Sequence, residues 1–458
     1  MIFNSNVFLL AFLPVVFILF WSFHSRTWRY VLLASAGYVF YGWWNWRYCF
    51  LLLFSSLVSF TAGLLISRSD RPRRRKAILI AAIATDLTIL GFFKYYDFFA
   101  STINGLAPGG RLLPLFSVVL PIGISFYTFH TISYIVDAYA GRVRATANFW
   151  EYQTYVNLFS QLVAGPIVRF RQIEGDLEKI DGPPREEWIA RGIGFFVIGM
   201  VKKVIIADQI ASGINPILHA WPQMSFIGAW IAALGYTCQL YFDFSGYSDM
   251  AVGLGYLFGL RIPQNFNSPY RALGIQDFWR RWHISLSSWL RDYLYYPLGG
   301  NRKGPARTYL NLMIVMLLGG LWHGANWTFV VWGAYHGLLL ILDRIGQPFF
   351  SRMPQALYRL QTFVLVMFGW VLFRSESFTM SLHWLQALFR PGAGGHVPDA
   401  ARLGGLIALA LLIARFVPEA WEFKFSTRPR WAVAYAAVFL VCYLLMNGAE
   451  TVFLYYQF

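Results

Sequence analysis

Few residues in this chain can move a proton, and one of them sits where water is scarce. His323 follows the apolar run "LMIVMLL" and precedes a second one, "FVVWGAYHGLLLIL". An imidazole with an ordinary pKa near 6.5 is suited to accept a proton from a hydroxyl as that hydroxyl attacks a carbonyl. A lone histidine in an apolar stretch is also commonly a satisfied core group, so its neighbours have to decide. Gly319, Gly320 and Gly324 strip side chains from its surroundings, which lets a ligand or another backbone approach closely. Trp322, Asn326 and Trp327 ring it with donors and flat faces, and the Trp322 indole and Asn326 are the candidates for steadying an oxyanion. The turn Gly324-Ala325-Asn326 is short, so His323 must lie near or below a membrane interface, in a protein-lined cavity. His336, further along the second run, reads as structural, and His24, His130, His219, His383 and His396 lack a comparable setting.

Two further stretches hold groups that an apolar chain would ordinarily avoid. In "QLYFDFSGYSDMAVG", Asp243 and Asp249 flank Gly246 at the end of an apolar run. Partners on one helix face fall three or four residues apart, so a break at Gly246 would be needed to turn both carboxylates into one polar cavity. Helix capping is the competing reading. In "NFNSPYRALGIQDFWRRWHISLSSWLRDYLYYPLGGNRKG", Trp279, Trp282, Leu286, Trp289, Leu290 and Tyr293 recur at helical spacing. Gln276, Arg280, His283, Ser287 and Arg291 form the opposite face, and Asp277 and Arg281 are an i,i+4 pair of opposite sign. The pattern predicts one amphipathic helix lying at the cytoplasmic interface. Its basic groups, Arg280 and Arg281 among them, suit an anionic ligand such as a nucleotide diphosphate.

The elements that must position these groups are membrane spans. The chain is 57% hydrophobic, 19% aromatic and only 13% charged, against roughly a quarter charged in soluble domains. Candidate spans lie at 7–24, 28–44, 47–67, 77–97, 113–138, 191–211, 225–242, 308–324, 326–343, 357–374, 403–418 and 431–448. The fold class is therefore an all-α polytopic membrane protein with about 11–13 transmembrane helices plus re-entrant or interfacial pieces. The first span reads as uncleaved. Asp, Lys or Arg at a span centre costs roughly 2.5–3.5 kcal/mol, which is why the buried polar residues matter.

The formal charge of +16 is explained by orientation rather than by nucleic acid. "RSDRPRRRK" (68–76), 139–190 and 243–307 are rich in Arg and Lys, whereas 212–224 has neither and 98–112 has only Arg111 among its arginines. This places the basic loops in the cytoplasm and both termini outside, provided that "MAVGLGYLFGL" (250–260) is a re-entrant or buried helix. Residues 390–405 read as an exposed outer loop, and Cys49, Cys238 and Cys442 as buried structural thiols with no metal cluster.

"DFWRRWHISLSSWLRDYLYYPLGG" followed by "GGLWHGANWTFVVWGAYHG" resembles the membrane-bound O-acyltransferase family, in its bacterial branch that acetylates exopolysaccharides such as alginate. "QLVAGPIVR" (161–169), "QLYFDFSGYSDMA" and "NFNSPYRA" match in kind and order. The resemblance implies a single membrane domain over 1–458, with N-terminal spans in 1–110, the motif-bearing core in 120–375 and C-terminal spans in 376–458. It implies a central tunnel, with His323 as the catalytic residue and His283 in a supporting role, joined by Asp277. Asp243, Asp249, Asn265, Arg280, Arg281, Trp322 and Asn326 are the candidates for lining the tunnel or holding substrate. It also implies acetyl-CoA as a cytoplasmic donor with no bound cofactor, a periplasmic acetyltransferase partner, a polysaccharide acceptor, and residence in the bacterial inner membrane among lipid. Two alternatives remain open at this point. One is D-alanyl or other acyl transfer to a teichoic acid or protein; the other is a proton-coupled transporter or flippase.

Overall fold

The computed structural model describes every residue except 108, 111, 393–396, 398 and 447–458. Arg111, His396 and part of the expected 390–405 loop thus lie outside the described residues; the described end of that loop, from Ala400, is already helix. All regular structure among the described residues is helical. Among the described residues, five helices are long and apolar enough to cross a bilayer: Tyr48–Ser67, Pro72–Leu106, Trp327–Phe350, Gln355–Arg374 and Pro429–Met446. The chain is a multi-pass membrane protein.

The helix ends follow local chemistry. Pro72 opens its helix at the position where a missing N–H costs nothing. Asn148 accepts the Trp150 and Glu151 N–H groups, and Ser377 accepts that of Met380, as N-caps do. The expected 113–138 span is helical only over Ile124–Tyr139. Pro114 and Pro121 precede that helix, and Gly123, at φ +78°, starts it. The non-helical stretch is anchored by Asp97, which accepts the Phe116 and Val118 N–H groups.

The chain divides into two compact units. The first comprises 1–196, 250–263 and 425–432. Its buried polar contacts are made largely by neutral hydroxyls. Asp86 accepts from the Ser55 and Thr131 hydroxyls, each at 2.7 Å, joining three helices. Arg29 is buried against the Phe20 and Trp21 faces and donates to the carbonyls of Phe23, Ile180 and Gly182.

The second unit comprises 197–249, 264–424 and 433–458 and carries every candidate site residue. Its most direct sequence-to-structure link is the helical hairpin Gly304–His323 and Trp327–Phe350. A methyl group on Gly320 would collide with the Phe329 carbonyl and the Gly333 backbone, and one on Gly333 with the Met316 carbonyl. Small residues let the two helices meet backbone to backbone, the usual device where apolar burial gives no net drive in lipid. Gly324 is filled by the Phe329 ring in the same way. Of the two uses expected for these glycines, close approach of backbone is the one seen at Gly320.

Two expectations are corrected in this unit. Gly246 does not break its helix, which runs unbroken from Phe226 to Leu257; the 250–260 piece, expected to be re-entrant or a buried helix, is its buried continuation as far as Leu257. The glycine serves packing instead, because a Cβ there would lie 2.8 Å from the Gly199 carbonyl oxygen. The interfacial helix is not continuous either. It is split into Ile275–Arg281 and Ile284–Leu290, with His283 at φ +44° between them. Periodicity reports which side chains share a stripe; it is blind to a single residue in the left-handed region.

Candidate active site

His323 closes the C-terminal end of its helix and is 6% exposed. Its ring is walled edge-on by Trp332 at 5.2 Å and Phe373 at 5.1 Å, with Trp322 at 5.0 Å. Trp327, expected beside it, is instead 44% exposed. Asn326 is taken up by capping: its carbonyl accepts the Thr328 N–H and its amide donates to the Glu376 carbonyl. That leaves Trp322 as the remaining oxyanion-donor candidate of the two, and the indole is buried. Trp332 and Phe373 were missed because nothing local marks an aromatic residue as site-facing in a chain this rich in them.

His283 is fully buried and sits in a polar socket. Its Nδ1 lies 3.1 Å from Asn265 Oδ1. The same oxygen accepts the Ser285 backbone N–H at 3.2 Å and the Ser285 hydroxyl at 2.8 Å, so it must be the carbonyl end of the amide. An amide oxygen only accepts, hence Nδ1 carries the proton and Nε2 the lone pair. Burial pushes this imidazole down to about 3, so it is neutral over the physiological range. Phe244 meets the ring edge-on at 4.7 Å and Trp322 lies 6.1 Å away. Trp322 is therefore the shared neighbour of both histidines, and it is this pair that the fold brings together.

The remaining candidates separate from them. Asp277 accepts from Arg281 Nε at 3.0 Å, as the i,i+4 spacing predicts, and also from the Leu273 N–H. Arg280 is exposed. Asp243 and Asp249 stay on one helix and are met by adjacent lysines on the π-helical stretch Val201–Ala207. Lys203 Nζ bridges Asp243 and Asp208 at 2.7 and 2.6 Å, and Lys202 Nζ bridges Asp249 and Glu419 at 2.7 and 3.2 Å. A π-turn is a common device for re-aiming side chains. The aspartates are thus matched by charge, which a buried carboxylate requires. Lys202 and Glu419 lie 217 positions apart with no local signal linking them, whereas Lys203 and Asp208 are close in sequence at an i,i+5 spacing that α-helical periodicity does not pair.

His336 lies in an aromatic box made by Phe278, Trp279, Trp332, Tyr335 and Trp370. Neither of its ring nitrogens has a hydrogen-bond partner among the described residues. Asp343, on the same helix, accepts the Gln276 N–H at 3.0 Å and the Tyr358 hydroxyl at 2.5 Å, fixing the start of the Ile275–Arg281 helix. Among the described residues no cluster of His, Cys, Asp or Glu is arranged to hold a metal.

A histidine at the end of a helix and a second, neutral and tautomer-locked one, with buried indoles around them, fit proton transfer at a dry acyl centre. The comparisons with known proteins agree in kind. The sequence model of the MBOAT, membrane-bound O-acyltransferase family, matches residues 115–383, which include both histidines. The chain is 45% identical over 424 residues to the "Probable alginate O-acetylase AlgI" of Pseudomonas aeruginosa, covering 91% of this chain and 80% of that one. It is 37% identical over 421 residues to the peptidoglycan O-acetyltransferase of Helicobacter pylori, covering 85% and 80%. It is 29% identical over 283 residues to the teichoic acid D-alanyltransferase of Bacillus subtilis, covering 58% and 71%. On the strength of the matched region and these relatives, the chain belongs to the membrane-bound O-acyltransferase family and is an O-acyltransferase.

Proposed function

We propose that this chain transfers acetyl groups from acetyl-CoA, taken on the cytoplasmic side of the bacterial inner membrane, for O-acetylation of an exopolysaccharide such as alginate. His323 is the general base. The acceptor hydroxyl oxygen bonds to the acetyl carbon and the carbon–sulfur bond breaks. The hydroxyl proton passes to His323 and from it to the departing thiolate. His283, held neutral with its lone pair on Nε2, keeps Trp322 and the wall of the site in place. A positioned base contributes on the order of 10²–10⁴-fold to such a step.

The acceptor hydroxyl enters from the periplasmic side, on an acetyltransferase partner that carries the new ester and passes its acetyl group on to the polymer, and both termini lie on that side. No bound cofactor is needed, because acetyl-CoA is a substrate. The observation that carries this reading is the identity gradient. Relatives named for alginate O-acetylation match at 42–45%, one named for peptidoglycan O-acetylation at 37%, and those named for D-alanyl transfer to teichoic acid at 26–29%. The transporter alternative falls with membership in an acyltransferase family.

The test is turnover by the purified chain in liposomes given acetyl-CoA and candidate acceptors, read as free thiol. Acceptor-dependent thiol release that His323→Ala abolishes supports the proposal. Release unchanged in that variant sinks the role of His323, and D-alanyl transfer in place of acetyl transfer sinks the substrate.

A further inference from the structure

Glu419 lies beyond the region matched by the family model, in the C-terminal part where the sequence showed no signature. It is nevertheless one of the most heavily bonded carboxylates of the second unit. Its Oε1 accepts the Ser268 backbone N–H at 2.8 Å and the Tyr241 hydroxyl at 2.5 Å, with the Ser268 hydroxyl at 3.5 Å. Its Oε2 faces Lys202 Nζ at 3.2 Å.

Ser268 is an unusual place to anchor a loop. It is a non-glycine residue at φ +46°, a conformation that needs support from its surroundings. Three residues before it stands Asn265, the residue that fixes the His283 tautomer. The two segments are paired by backbone: the Asn267 N–H donates to the Arg281 carbonyl at 2.9 Å, and the Ile284 N–H to the Asn265 carbonyl at 2.8 Å. His283 is thus carried on a turn whose facing segment is pinned at both ends to one helix. At one end the Asn265 amide donates to Ser248 Oγ at 3.0 Å. At the other, Ser268 reaches Glu419, then Lys202, then Asp249, next in sequence to Ser248. The bonds close a ring.

We propose that Glu419 is a positioning residue for the active site, holding the Asn265–Ser268 segment in the geometry that keeps His283 sealed in its socket. This rests on the acyl-transfer reading only for its kinetic consequence. Removing the carboxylate leaves the Ser268 N–H buried without its acceptor and the Lys202 ammonium with Asp249 alone, and the segment relaxes toward other partners. A misplacement of about 1 Å at a site costs up to roughly 100-fold in rate.

The experiment uses the full chain in nanodiscs. Carbethoxylation of His283 by diethyl pyrocarbonate, read by peptide mass spectrometry, reports the seal without reference to activity, and acetyl-CoA turnover is measured beside it. Glu419→Ala is expected to modify His283 at least about tenfold faster, as local opening does. It should also lower kcat about 10- to 100-fold with KM for acetyl-CoA unchanged. Glu419→Gln keeps an oxygen for Ser268 and Tyr241 and is expected to restore the protection. Glu419→Asp keeps the charge for Lys202 but shortens the reach to Ser268, and is expected to expose the ring in part; it carries the test if the alanine variant does not assemble. Protection as in the parent chain in both the alanine and aspartate variants overturns the proposal, as does a glutamine variant as open as the alanine one. If the protection follows this order while no variant, the parent included, turns over acetyl-CoA, the ring stands and the acetyl-transfer reading fails.

Discussion

The two histidines of the site are held by opposite means. His283 is fixed by hydrogen bonds, with its backbone in the left-handed region and its Nδ1 proton directed at Asn265. His323 ends a regular helix and is bounded by the rings of Trp322, Trp332 and Phe373. A directional socket suits a group that must keep one tautomer and one place. Aromatic walls keep the other ring in dry surroundings, which suits a group that accepts a proton and passes it on. The proposed division of labour between supporting residue and base is consistent with that difference.

The largest effect that would break this comparison is at His323. His323→Ala should lower acetyl transfer by about 10²–10⁴-fold while the protein accumulates normally in membranes. If thiol release stays at the parent rate, the roles are misassigned. Asn265→Ala comes next. It strips the acceptor from the Ser285 N–H and from His283 Nδ1, each buried loss costing about 1–3 kcal/mol, and should lower both the unfolding midpoint and kcat; an unaltered midpoint would show that the socket is not under hydrogen-bond control. Gly320→Ala addresses the hairpin that presents His323. The added methyl meets the Phe329 carbonyl and the Gly333 backbone, and the strain of about 1–3 kcal/mol should appear as a lower melting temperature in detergent.

The smallest effect is at the acid limb. Burial pushes the Glu419 carboxyl up, but the Lys202 ammonium, the Tyr241 hydroxyl and the Ser268 N–H outweigh it and hold it below the ordinary carboxylate range. A depressed folded-state pKa gives stability that is present above the unfolded value, about 4.3 for Glu, and lost as pH falls through the folded one. Stability should therefore decline on acidification below about pH 4.3, and less steeply in Glu419→Gln. Equal slopes would mean that the carboxylate is not charge-stabilised.

How much of this was legible in the sequence depends on the range of the interaction. The hairpin was readable because its signals are local, two apolar runs joined by the short Gly324-Ala325-Asn326 turn, although Asn326, read as an oxyanion donor, is the cap of the second helix. Asp277 and Arg281 pair as their spacing says. Gly246 misled because a glycine that admits a neighbouring backbone looks the same in sequence as one that ends a helix. The kink at His283 was hidden because its cause, Asn265, acts across a backbone pairing that periodicity does not encode. The lysine–carboxylate network was invisible for a plainer reason. Glu419 meets Ser268 across 151 positions and Tyr241 across 178, and no pattern in one sequence links such distant residues.

The closed ring has a consequence for anyone recombining members of this family. A chimera that exchanges everything after the last matched residue would look harmless on a motif map, since both histidines stay put. It would replace the acid at 419 with whatever the donor chain carries there, and a buried lysine and a strained serine would inherit the mismatch. Crossover points are better chosen so that Lys202, Ser268 and Glu419 travel as one set.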